Sequence, residues 1–185
     1  MPVSASQDRP AILNASRVVR WAGVAIVGLA IHAAAVSQTP AKPKSPFADT
    51  VAWSISAPTG DVKPGSRLKL SVKGAVVDGW HVYAQEQLPR GPIPLGVDVD
   101  KNPVASAAGA LIATAPVKAH DQSFGFETQY YDKDFTLEVP VQIDAKSATG
   151  AQQIPVSVYY QSCNGKVCHP PKTVTLSASV NVKAR

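Results

Sequence analysis

The stretch RLKLSVK (67–73) restricts the fold of this chain more than any other feature. Leu68, Leu70 and Val72 alternate with Arg67, Lys69, Ser71 and Lys73. Period two belongs to a strand with one buried and one wet face, whereas a helix would space its apolar residues three and four apart. KTVTLSASVNV (172–182) alternates in the same way, with Val174, Leu176 and Ala178 on one face. Further runs rich in Val, Thr, Tyr and Ile are VAWSISA (51–57), WHVYAQ (80–85), LGVDVD (95–100), LIATAPVKA (111–119), DFTLEVPVQI (134–143) and IPVSVYYQ (154–161). Gly, Pro, Asp and Asn punctuate them. About eight short strands with regular turn signals predict an all-β fold, an antiparallel β-sandwich. The Cys…Trp…Cys spacing of antibody domains is absent, because Cys163 and Cys168 share one local segment.

The N-terminus reads differently. Residues 1–20 are polar and carry Arg9, Arg17 and Arg20 against Asp8. The apolar run WAGVAIVGLAIHAAAV (21–36) follows, 16 residues ending in small side chains. A charged head, an apolar centre and a small-residue end describe a secretory signal peptide over 1–37, with cleavage expected after Ala35 or Ser37. The run is short for a membrane span, which takes about 20 apolar residues; an uncleaved anchor is the alternative. Residues 38–49 form a linker rich in proline and lysine, and 50–185 form a single domain. Without residues 1–37 the chain carries 15 basic and 12 acidic side chains, net +3, with the signs interspersed. Such a surface gives no reason to expect a nucleic-acid partner.

Two segments exceed ordinary sandwich turns. EQLPRGPIP (86–94) holds three prolines, and AHDQSFGFETQYYDKD (119–134) holds Phe124, Phe126, Tyr130 and Tyr131. Long loops in a compact domain often carry function.

Cys163 and Cys168 are the only cysteines. A strand runs into Cys163, Asn164-Gly165 signals a tight turn, and Cys168 begins the return, so the two face each other across a hairpin within reach of a disulfide. Export would let such a bond persist. Closing so short a loop stabilises by only about 2 kcal/mol, roughly half the gain from a bridge between distant strands. Spacing alone therefore leaves a structural bridge, a redox pair and a metal site all open. A metal site would need Cys163, Cys168, His169 and His81 together, and the spacing is not that of a zinc knuckle. His169 reads either as a solvated turn residue or as an imidazole that favours the Cys168 thiolate. His81 reads as an exposed strand residue or as a neighbour of the pair. No G-x-S-x-G, H-E-x-x-H or phosphate loop is present, and neither a cofactor nor a small-molecule substrate is expected.

Three motifs bring a resemblance. Asp78-Gly79 precedes Trp80-His81-Val82-Tyr83; Gly91-Pro92-Ile93-Pro94 forms a loop; and Tyr160-Gln161 precedes Cys163, Cys168 and Pro170-Pro171. From about residue 50 onward the chain resembles the N-terminal periplasmic domain of DsbD, the bacterial thiol:disulfide interchange protein. The resemblance implies an immunoglobulin-like antiparallel β-sandwich with a redox-active cysteine hairpin and a cap loop. It implies a protein-disulfide reductase type of activity. A membrane thiol electron transporter would supply electrons, and periplasmic thioredoxin-like proteins would receive them. Cys168 would form the mixed disulfide and Cys163 would resolve it. Phe124 and Gly125 fall at the family's cap aromatic and glycine, with Phe126 the second choice for the lid. His81 and Tyr83 fall where the family places aromatics beside the cysteines. His81 and His169 depart from the family's pattern. The large family members continue into a membrane domain and a thioredoxin-like domain; because this sequence stops at Arg185, its donor is expected to act in trans. The alternative is a non-catalytic binding module of the same fold with a structural disulfide.

Overall fold

The structure, a computed structural model, describes residues 49–184. The expected signal segment and nearly all of the linker lie outside the described residues, as does Arg185.

Among the described residues the ordered elements are strands, thirteen in all. One sheet runs β1 (Val51–Ser56), β3 (Arg67–Val76), β10 (Phe135–Ile143), β6 (Ala105–Ala107), with β7 (Ile112–Ala113) also on β10. A second runs β2 (Asp61–Val62), β13 (Lys172–Val182), β11 (Gly150–Tyr160), β5 (Gly96–Val99). A third, smaller sheet runs β12 (Ser162–Cys163), β4 (His81–Tyr83), β9 (Phe126–Tyr131), β8 (Val117–Asp121). Pairings are antiparallel except for β2 on β13. The first two sheets share one apolar interior, so the expected sandwich is present. Leu70, Val72, Leu137 and Val141 enter it from one side and Ile154, Val156, Val158 and Val182 from the other, all essentially sealed from water. Each contributes about 1.5–3 kcal/mol by leaving water.

Three differences from the expected strands matter for the site. The run 111–119 is two strands in different sheets. Pro116 lacks an N–H, and Thr114 turns both its N–H and its hydroxyl to the Thr136 carbonyl at 3.0 and 3.2 Å, so the ladder ends there. β8 then starts in the third sheet. The segment 119–134 is not a long loop but mostly the β8–β9 hairpin, its turn confined to 122–125. β9 is laddered on both edges, by β4 and β8. Backbone pairing holds it, and its two faces mix polar and aromatic residues without clean alternation. Finally, β4 is shorter than 80–85. β12 joins it where the chain leaves β11, and so carries Cys163 from the second sheet to the third.

Candidate functional site

The cysteine hairpin is built by its turn residues. The Asn164 side-chain oxygen accepts from the N–H groups of Lys166 and Val167 at 3.1 and 2.8 Å. Gly165 takes the left-handed conformation, φ 77°, which costs a glycine nothing. Cys163 and Cys168 form a β-bridge, with Cα atoms 4.1 Å apart and sulfurs joined in a disulfide. The His169 N–H donates to the Ser162 carbonyl at 2.9 Å and closes the return. Gln161 binds both sides of this hairpin. Its amide donates to the His169 carbonyl at 3.3 Å, and its side-chain oxygen accepts from the Ile93 N–H at 3.1 Å. The proline loop 86–94 is thereby tied to the cysteines.

The two sulfurs are not equivalent. Cys163 lies inside the β12–β4 ladder with 0% of its surface exposed. Cys168 lies outside any strand and is half-buried, next to Val167, which is 54% exposed.

The register places His81 directly opposite Cys163. Its ring packs edge-on against Tyr83 at 5.0 Å and tilted against Tyr130 at 4.8 Å. Burial lowers its pKa, although the carboxylates of Asp121 and Asp132 pull the other way. Tyr83, two residues along the same face, is buried; its hydroxyl donates to Asp121 Oδ2 at 2.7 Å. Burial and that carboxylate raise the Tyr83 pKa, so the hydroxyl stays a donor.

Asp121 organises the turn that follows β8. Its backbone carbonyl accepts from the N–H groups of Phe124 and Gly125 at 3.3 and 2.7 Å, and its Oδ1 accepts from the Ser123 N–H at 2.8 Å. The Thr128 hydroxyl adds a longer bond at 3.4 Å. Burial alone would raise the Asp121 pKa; the bonds from Tyr83 and Ser123, with the nearby His81, hold it below the usual carboxylate range. The turn sets Phe124 edge-on against Tyr83 at 5.8 Å, with Phe126 behind it at 6.0 Å.

Cys163, Cys168, His81, Tyr83, Phe124, Gly125 and Phe126 thus gather around one small sheet, with Phe126 as the first residue of β9 rather than part of a loop. Two readings of single residues change. His169 is not a solvated turn residue but is 5% exposed, its ring 4.4 Å from that of Trp80. His81 is half-buried rather than exposed, because the rings of Tyr130 on β9 and Tyr83 on its own strand pack against it. Sequence reasoning passes over Asp121. Its signal is local: an aspartate two residues before Ser123 and four before Gly125, the pattern of a side-chain-closed turn. Among the described residues no group of three or more His, Cys, Asp or Glu side chains is arranged to hold a metal ion. A groove of about 450 Å³ runs beside the hairpin, lined by Trp80, His81, His120, Tyr130, Asp132 and Asn164 among others.

Residues 49–179 match the family described as "Thiol:disulfide interchange protein DsbD, N-terminal". Among solved structures, the reduced form of the DsbD N-terminal domain from Neisseria meningitidis is 19% identical. It covers 71% of this chain and 85% of its own, with a TM-score of 0.45. AggA, the major subunit of aggregative adherence fimbriae type I from Escherichia coli, is 15% identical. It covers 72% of this chain and 94% of its own, with a TM-score of 0.32. No curated protein sequence matches the chain.

Proposed function

The chain belongs to the family of DsbD N-terminal domains, and we propose that it is an exported thiol–disulfide interchange domain that passes electrons through Cys163 and Cys168 to partner proteins. The unequal burial of the two cysteines supports this reading: Cys168 is partly exposed and Cys163 is sealed. In the reduced form the Cys168 thiolate attacks a partner disulfide. A bond forms between Cys168 Sγ and one partner sulfur, and the other partner sulfur leaves with the electron pair. The Cys163 thiolate then attacks Cys168 Sγ. The intramolecular disulfide forms, and the partner leaves as a dithiol, having gained two electrons and two protons. A membrane thiol transporter restores the dithiol by the reverse steps. The acceptors are thioredoxin-like proteins of the periplasm, reached through the N-terminal segment 1–37. His169, adjacent to Cys168, favours its thiolate. Phe124, seated on Tyr83, is the lid, and Gly125 gives its turn room to move.

A Cys163→Ala variant of the mature chain, mixed with an oxidised thioredoxin-like protein, tests the roles. A covalent complex through Cys168 that accumulates and is released by a reductant is the expected result. Trapping only in a Cys168→Ala variant would reverse the roles. A wild-type reduction potential below about −300 mV, together with no exchange, would mark the bond as a structural bridge in a binding module.

A further inference from the structure

We infer that His81 is the base that takes the proton from Cys163 when this cysteine resolves the mixed disulfide; this rests on the exchange reading above. The need arises from burial. Cys163 must become a thiolate while sealed from water, and a thiol in such surroundings resists ionisation. Cys168 is half-buried and can exchange its proton with solvent.

The geometry points to one acceptor. Opposed residues of an antiparallel pair project from the same face with Cβ atoms about 5 Å apart, and the register opposes His81 to Cys163. His81 Nε2 is buried and has no hydrogen-bond partner while the cysteines are joined. A buried polar atom without a partner calls for an explanation. A disulfide has no S–H, and reduction creates one on the facing residue. The missing donor thus exists only in the reduced form, the state in which a base is required.

The surroundings suit an acceptor that becomes a cation. Tyr83 on its own strand and Tyr130 on β9 flank the ring. Asp121 at the end of β8 and Asp132 just beyond β9 are the charges that bear on it, and both favour the imidazolium once formed. Burial keeps the resting ring neutral and able to accept. His120 and Asp132 line the same groove as His81, which gives the proton a route to solvent.

The Cys163 S–H proton passes to His81 Nε2. The Cys163 electron pair forms the bond to Cys168 Sγ as the bond between Cys168 and the partner breaks. The partner sulfur leaves as a thiolate and takes up a proton, delivered from the imidazolium directly or through water. The partner disulfide is the oxidant, reduced by two electrons as the cysteine pair is oxidised.

The test reacts the reduced chain with 5,5′-dithiobis(2-nitrobenzoate) under single-turnover conditions. The first coloured thiolate reports attack by Cys168 and the second reports resolution by Cys163. A His81→Phe variant keeps a ring between Tyr83 and Tyr130. Its first phase should match wild type, and its second should slow by about 100-fold at neutral pH, the scale of general-base catalysis. The slowed phase should rise tenfold per pH unit where the wild-type rate has levelled off. Equal second phases at every pH, or both phases slowed alike, overturn the role of His81 while leaving exchange intact. A wild-type chain that releases neither equivalent overturns the exchange reading and this inference with it. A second measurement needs no substitution. In ¹⁵N-histidine-labelled wild type, the His81 Nε2 resonance should shift on reduction as it accepts the S–H; a resonance unmoved by reduction overturns the inference.

Discussion

Replacing Tyr83 with Phe removes one hydroxyl and leaves both of its ring neighbours, Phe124 and His81, in place. The hydroxyl makes the shortest side-chain bond to Asp121, at 2.7 Å, between two buried groups. A hydrogen bond to a charged acceptor is worth about 1.5–3 kcal/mol. The Ser123 N–H and the longer Thr128 bond remain, so Asp121 keeps partial satisfaction. We expect a loss of about 2 kcal/mol at pH 7. With a typical urea slope near 2 kcal/mol per molar, the unfolding midpoint should fall by about 1 M at unchanged slope. The pH dependence supplies a second signature. The folded pKa of Asp121 is depressed, partly by Tyr83. Its contribution is therefore complete above the unfolded carboxylate value of about 4 and is lost as pH falls through the folded value. The variant has less of that contribution to lose. The gap between the two proteins should narrow to about 1 kcal/mol, the worth of a neutral bond, once Asp121 is protonated. Urea unfolding at pH 7 and at a series of lower pH values down through the titration of Asp121 follows the gap. A gap under about 0.5 kcal/mol at pH 7, or one that stays constant through that titration, would refute the claim that Tyr83 anchors the turn through an ionised Asp121.

Phe124→Ala removes the ring seated on Tyr83, and an aromatic pair is worth about 1 kcal/mol, so the disulfide should be reduced about fivefold faster by glutathione; an unchanged rate would end its role as a lid. The lowered pKa of His81 means that the unfolded chain takes up its proton first as pH drops below about 6.5, so stability should decline from there downward. His81→Phe should flatten that part of the urea stability profile between pH 7 and pH 5, and identical profiles would count against the shift. Gly74→Ala would place a Cβ 2.7 Å from Phe135 Cε1 and 3.1 Å from Trp53 Cζ3. Overpacking there should lower stability by about 1–3 kcal/mol in a thermal melt, whereas a neutral result would show that the two rings can shift.

The sandwich was legible because its strands advertise a single buried face. Alternation in β3, β10 and β13 reports which side chains meet the core: Leu70, Val72 and Ala178 are sealed, while Leu68, Val174 and Leu176 pack against it partly buried. The strands that escaped notice are held by other means. β6 depends on a turn in which Asn102 accepts from the N–H groups of Val104 and Ala105 at 2.8 and 2.9 Å. The start of β11, Gly150 to Gln153, is polar and extends only because β13 offers a continuous ladder partner. β9 sits between two neighbours and needs no apolar face. Strands defined by their partners leave no periodic trace in their own residues.

The same distinction applies to the site. Residue type made the cysteines conspicuous, and the motifs around them supplied a family. Neither could say which imidazole faces which sulfur, because this is decided by the register of β12 on β4, strands some eighty residues apart in the chain. Had β12 slipped by one residue, Cys163 would oppose Val82 and project from the other face, away from His81, Tyr83 and the cap. The unequal burial of the two cysteines follows from that register as well. The cysteine inside the ladder is buried and opposed to an imidazole; the one past the turn is half-buried. A bridge meant only to brace the hairpin would gain nothing from this asymmetry, whereas a pair that must attack in order requires it.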